Sequence, residues 1–331
     1  MRFLDFFRRK KTPVLRHQPV TALISQAGSP RPVLLKTLLI VYNPVVEPAT
    51  GRSLSQVMNW NRVDDLVRGY ISDVQQVSGG LMRHEIVQRI DVDAFPAKVD
   101  GFVYDAESFL NVLRGIAPPY MPQEADYHAI LRQFEILPRV ASGEIDEVWL
   151  FNFPHAGFYE SIMGGPGAFW CNAPPLLNTE ASRRRFVIMG FSYERGAGEM
   201  LENLGHRAES ILEKTFEHTS DDANLWNRFT RYEQTHPGRA ALGNVHFAPN
   251  SASDYDWGNP STVLSECDDW RDNFPGFKGA VRPVTSAEWG NGDIRKHHKW
   301  WMSHFPKVAG EANGILYNWW QYIADPNHVK T

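Results

Sequence analysis

The chain has 331 residues, with 34 Lys and Arg against 38 Asp and Glu, a formal charge of −4. Apolar residues make up 43% and charged residues 22%, a globular balance that excludes the disordered, collagen-like and coiled-coil classes. The near-neutral charge confers no general affinity for polyanions, so nucleic acid is not an expected partner.

In chain order, residues 1–33 read as a basic, flexible N-terminal tail. The first 36 residues hold eight Lys or Arg against one Asp, a local charge of +7 that leaves −11 for the remainder. With Phe3, Leu4, Phe6 and Phe7 beside the basic cluster, weak contact with an anionic membrane surface is the functional alternative to a plain arm. The apolar stretch there is too short for a signal peptide, so a cytoplasmic location is the default expectation. No run approaches the roughly 18 apolar residues of a membrane span.

A continuous apolar run from Leu34 to Tyr42 predicts a strand buried on both faces. Asn61 to Val77 repeats apolar residues at helical spacing, Ser78-Gly79-Gly80 stops it, and His84 to Val92 supplies a second strand. Helical patterns follow at Ala106 to Arg114 and Glu124 to Val140, then strands at Glu147 to Phe153 and Arg185 to Phe191. A long helix covers Gly198 to Phe216, and a fifth strand is expected to include Leu242 to Phe247. Strands alternating with helices predict an α/β fold, a largely parallel sheet flanked by helices, over residues 34–247. Residues 248–331, Trp-rich and weakly periodic, are expected to pack on that sheet as an irregular part of the same domain.

In such folds ligands bind beyond the carboxyl ends of the strands, where this sequence places Asn43, Asn152, His155, the Ser192 to Arg195 turn and His246. On the long helix Glu199, Glu202, His206 and Glu209 fall within about an 80° sector at about 100° per residue, opposite an apolar stripe. His206 and Glu209, three residues apart, with His246 as the third ligand, compose a candidate site for zinc or another divalent metal. Such an ion would keep an open coordination position and activate water. Glu202 or Glu194 is then the candidate general base, and Arg195 the electrophilic or anion-orienting group. An ordinary solvated helix face, including Asn203 and Arg207, is the structural alternative.

Two cysteines are too few for a disulfide framework. Cys171, activated by a histidine such as His155 beside the glycine-rich Gly164 to Gly167 loop, is a minor nucleophilic alternative. That loop lacks the ending of a phosphate-binding motif, so no nucleotide cofactor is indicated. Tyr255, Asp256 and Asn259, with Asn152 and His155, are candidate substrate-binding residues for a small-molecule, peptide or glycan substrate. Eight tryptophans after position 220 add weight to a carbohydrate-facing surface. His297, His298 and His304 are expected on a charged helical surface rather than on a metal.

Met189-Gly-Phe-Ser-Tyr-Glu-Arg-Gly196, Gly205-His-Arg-Ala-Glu209, Asp254-Tyr-Asp-Trp-Gly-Asn259 and Asn318-Trp-Trp320 together resemble a family of uncharacterised bacterial proteins. Many of these are secreted and some are joined to lectin-like or carbohydrate-binding modules. The resemblance spans most of residues 36–322 and implies, without an activity of its own, an extracellular hydrolase with secretion as the alternative location. The expectation is therefore a hydrolase, metal-dependent, with its site at the strand ends. The alternatives are a metal-free glycosidase using two carboxylates from Glu194, Glu202 and Asp256, or a non-catalytic glycan-binding or surface-associated protein.

Overall fold

A computed structural model describes residues 30–220 and 223–330; the expected basic tail and its membrane contact lie almost wholly outside the described residues. Five strands compose the main sheet: β1 (Val33–Tyr42), β2 (Met82–Val92), β3 (Glu147–Asn152), β4 (Ser161–Gly164) and β5 (Phe186–Ser192), in the order β2-β1-β3-β5-β4. β2, β1, β3 and β5 run parallel, and β4 pairs antiparallel with β5 at one edge. The fold is α/β, as the alternation of strand and helix patterns predicts.

β3 is buried at every residue, which explains why its sequence is apolar without alternation. β2, at the other edge, alternates buried or half-buried with exposed positions over Met82 to Ile86. The major helices are α1 (Val63–Val77), α2 (Ala197–Phe216) and α3 (Ile294–Ser303), which pack on one another. Gly198 permits the contact between α2 and α3, since a Cβ there would lie 2.6 Å from Ile294 Cγ2.

α2 is fastened to the sheet by polar side chains as well as by Met200, Leu201, Leu204, Ala208, Ile211 and Leu212, all buried. Arg207 pairs with Glu147 of β3 and donates to the Ile323 carbonyl at 2.8 Å. Asn203 Nδ2 donates to the Gly190 carbonyl of β5 at 2.7 Å. Asn203 and Arg207 are therefore buried anchors, which overturns their assignment to a solvated face.

The tryptophans after position 220 are core. Trp226, Trp257, Trp270, Trp289, Trp301, Trp319 and Trp320 are all buried, and Trp300 is partly so. Trp226, Trp270, Trp301 and Trp319 meet around Phe229 at ring-centroid separations of 5.0–6.1 Å. They consequently lend no weight to a carbohydrate-facing surface. His297, His298 and His304 are also buried, because they lie on the inner side of α3 and its end, with Trp257 stacked on His297. The charged surface expected there is made by Arg295, Lys296 and Lys299, and Arg295 and Lys299 bind Asp73 of α1.

Two further expectations are corrected. Residues 242–247 form no strand. Gly243 has φ +72°, and its Cβ would strike the Phe247 carbonyl at 1.9 Å, while Asn244 Oδ1 accepts the amides of His246 and Phe247. These contacts fold the segment into a tight turn. The helix predicted from Glu124 to Val140 divides into Tyr127–Gln133 and Ile136–Ala141, because Glu135 takes the left-handed conformation at φ +51°.

Contacts cross position 247 freely. Trp301 Nε1 donates to the Gly243 carbonyl at 3.0 Å, and helix Trp319–Ala324 packs on β1 and β2. Among the described residues no helix is long and apolar enough to cross a membrane.

Candidate functional site

The turn from β5 into α2 sets the first wall of the site. Asn61 Nδ2 holds the Tyr193 and Arg195 carbonyls at 3.2 and 3.0 Å, and the Gly196 amide donates to Glu199 Oε2 at 3.0 Å, starting the helix. Between this turn and the end of β3 lies a cavity of about 250 Å³ whose walls include Asn152, His155, Glu160, Ser192, Glu194, Arg195, Glu199 and Asn203. It stands at the carboxyl ends of β3 and β5, where a parallel sheet leaves loops and helix starts free to converge. Asn43, at the end of β1, instead closes a local turn through Ser53 and Ser55.

One to two helical turns into α2 the chain brings two imidazoles together. His206 Nδ1 is hydrogen-bonded to Glu209 Oε2 at 3.0 Å, and Glu209 Oε1 accepts the Val245 amide at 3.0 Å. His246 Nδ1 lies 3.0 Å from Asp254 Oδ1. An ionised carboxylate only accepts, so in the neutral ring the proton belongs on Nδ1 and Nε2 keeps a lone pair. The two Nε2 atoms face each other at 3.1 Å. Lone pairs at that separation repel unless a proton or a cation lies between them.

The close approach depends on Gly205. A Cβ there would stand 2.7 Å from Val245 Cγ2, so a larger residue would press the 245–246 segment away from the helix.

Glu202, only 4% exposed, completes the group. Its Oε1 lies 3.7 Å from His246 Nε2, and one ligand atom from each of Glu202, His206 and His246 falls within 4.8 Å of the others. Glu160 Oε2 is 3.7 Å from His206 Nε2 and accepts from Asn172 Nδ2 at 2.7 Å. Because Glu160 also lines the cavity, the imidazole pair and the cavity form one continuous site. Tyr255, held at φ +58°, leans over His246 with ring centroids 4.3 Å apart and its hydroxyl oxygen 3.0 Å from Nε2.

The electrostatics follow from four carboxylates around two imidazoles. Burial disfavours the imidazolium of His206, but the Glu209 hydrogen bond and the charges of Glu209, Glu160 and Glu202 outweigh it and raise the pKa above the ordinary value. Burial, helped by the charge of Glu160, raises Glu202 against the opposing effects of Tyr255 and the two histidines. Burial and the neighbouring Glu202 push the Tyr255 phenol up to about 12.

No family model, curated protein or solved structure matches the chain. The motif resemblance therefore lends the site no function, and the reading rests on the chemistry of these side chains.

The sequence groups His206, Glu209 and His246 as ligands; in the structure Glu209 backs His206, and Glu202 stands in the group with the two histidines. Asn152, His155, Glu194 and Arg195 share the cavity wall, whereas Tyr255 stands at the imidazole pair. Asp256 and Asn259 face each other inside their own loop. Asp256 Oδ2 accepts the Ala252 amide and Asn259 Nδ2, and the Asn259 carbonyl accepts from Asn250. Cys171 is fully buried beside Ser161, and burial pushes its thiol up to about 11, which leaves no thiolate nucleophile.

Three participants escaped sequence reasoning. Glu160 follows the third strand by a loop and lacks a spacing signature. Asp254 stands two residues before Asp256 in a stretch already rich in Asn and Asp. Lys98, 1% exposed, donates to the carbonyls of Gln123, His155 and Ala156 at 2.6–3.0 Å and so fixes the backbone of the cavity wall.

Proposed function

We propose that the protein is a divalent-metal-dependent hydrolase whose ion is held by His206 Nε2, His246 Nε2 and Glu202. The observation that carries this reading is the pair of imidazoles whose Nδ1 atoms both face carboxylates and whose Nε2 lone pairs converge at 3.1 Å. Ligand atoms on a tetrahedral ion with bonds of about 2.0–2.1 Å stand roughly 3.3 Å apart, so small adjustments admit the ion. Two nitrogens and a carboxylate suit zinc, and the surrounding negative charge favours a dication over a single shared proton.

Glu209 and Asp254 orient the imidazoles, and Glu209 favours the charged form of His206. An ion held by these residues would supply Lewis-acid polarisation of a carbonyl or phosphoryl oxygen and activation of water. Glu160, 3.7 Å from His206 Nε2 and in the cavity wall, would serve as general base toward the attacking water, a task for which it is better situated than the ligand Glu202. With an ion held there, the Tyr255 hydroxyl beside Glu202 and His246 would be a donor near the reacting centre. Arg195 orients the bound substrate from the cavity wall.

The test is hydrolysis of peptide, amide, ester and phosphoester panels before and after exhaustive chelation. Turnover that chelation abolishes, zinc or manganese restores and His246→Ala removes is the expected result. Turnover that persists in the chelated protein or in the His246→Ala variant contradicts the reading.

A further inference from the structure

The cavity beside the imidazole pair is built to accept hydrogen bonds rather than to give them. Asn152 and Asn203 line it and are 92% and 93% buried. Each donates one amide N–H to a backbone carbonyl, Asn152 to Leu150 at 3.1 Å and Asn203 to Gly190 at 2.7 Å. These bonds fix the carboxamides, and neither Oδ1 has a hydrogen-bond partner among the described residues. Both side chains line the cavity, so two uncommitted carbonyl oxygens are available beside it. The hydroxyl of Ser192, also in the wall, is buried and unpartnered.

The charged wall residues have the same bias. Glu160, Glu194 and Glu199 outnumber the one guanidinium, that of Arg195. Fixed acceptors in a negatively charged recess bind a group that has several protons to donate and a positive charge. At about 250 Å³ the recess lies below the roughly 300–1,000 Å³ of pockets for drug-sized ligands, and so takes one small head group rather than an oligosaccharide. A sugar ring would also need several donors matched to its oxygens, and the charged donors of the wall are limited to Arg195 and a protonated His155.

We infer that this cavity binds the protonated amino group of the substrate, an aminoacyl amide or peptide N-terminus, with Asn152, Asn203 and Glu194 around the ammonium. As a statement about substrate it rests on the hydrolase reading. As a statement about binding it is independent of the ion.

The test uses the full-length, chelator-treated protein and three probes with one side chain: leucinamide, N-acetylleucinamide and 4-methylpentanoate. Ligand-observed NMR is expected to show saturable leucinamide binding at least tenfold tighter than that of the other two. Glu194→Gln, a change at an exposed side chain, should weaken it severalfold. Equal binding of the acetylated probe, preference for the carboxylate, or no binding of leucinamide would each overturn the inference. None of these results alters the metal reading, which is decided by ion content.

Discussion

At the scale of single residues the account divides the carboxylates by task. Glu209 touches the far nitrogen of His206, so Glu209→Gln should lower ion affinity by about 10–100-fold without abolishing it. His206→Ala should abolish stoichiometric binding altogether. A competition titration with a chromophoric chelator separates the two outcomes, and equal losses would place Glu209 among the ligands. Tyr255 is a donor rather than a ligand in this scheme. Tyr255→Phe should leave ion affinity within about twofold and lower kcat by about 10–100-fold, a range typical of one lost transition-state donor or somewhat below it. A loss confined to KM would assign Tyr255 to substrate binding alone.

At the scale of elements, α2 joins the site to the core. Arg207 and Glu147 are both about 1% exposed and form an ion pair that also involves His84, 3.6 Å from Glu147. Arg207→Met leaves Glu147 buried without its partner and should cost about 3–5 kcal/mol in urea unfolding, much of which Arg207→Met combined with Glu147→Leu should recover. On the same helix Gly205→Ala presses on Val245. It should lower ion affinity more than tenfold while the protein remains folded, and Val245→Ala in the same chain should restore it. Unchanged affinity in Gly205→Ala would show that the turn yields without moving His246.

α2 also marks the limit of what sequence makes legible. Its apolar stripe and its Glu202, His206 and Glu209 sector follow from helical spacing alone, as do β1, β3 and β5 from apolar runs and β2 from alternation. Spacing identifies which residues share a face but not which of them reach across to another segment. Glu202 and Glu209 are equivalent in sequence; only the 245–246 turn, folded through Gly243 and Asn244, gives one to the imidazole pair and the other to the back of His206. The strand expected at 242–247 fails for the same reason, since its apolar alternation is real but side-chain hydrogen bonds of Asn244 capture the backbone. The tryptophans carry no positional signal at all, and their place in the core is set by packing between elements far apart in the chain.

At the scale of the whole molecule, the buried ion pair beneath the sheet should govern acid stability. Burial alone would raise Glu147, but Arg207 and His84 hold its carboxyl down at about 2, below an ordinary value of 4.5. A carboxyl depressed in the folded state contributes stability that is present above the unfolded value and is lost as pH falls through the folded one. The urea midpoint should therefore fall between about pH 4.5 and 2, and Glu147→Gln should flatten that part of the profile. A profile unchanged by the substitution would show that other carboxyls dominate.

The sheet, α2, the 243–247 turn and the 251–259 loop act together only if their meeting point holds an ion. Elemental analysis of protein purified without chelator or a metal-binding tag, beside a His206→Ala variant prepared identically, tests that directly. The account predicts close to one zinc or other divalent transition-metal ion per chain, lost in the variant. Absence of ion from both proteins, with no thermal stabilisation by added zinc or manganese, would contradict it and leave the imidazole pair bridged by a proton.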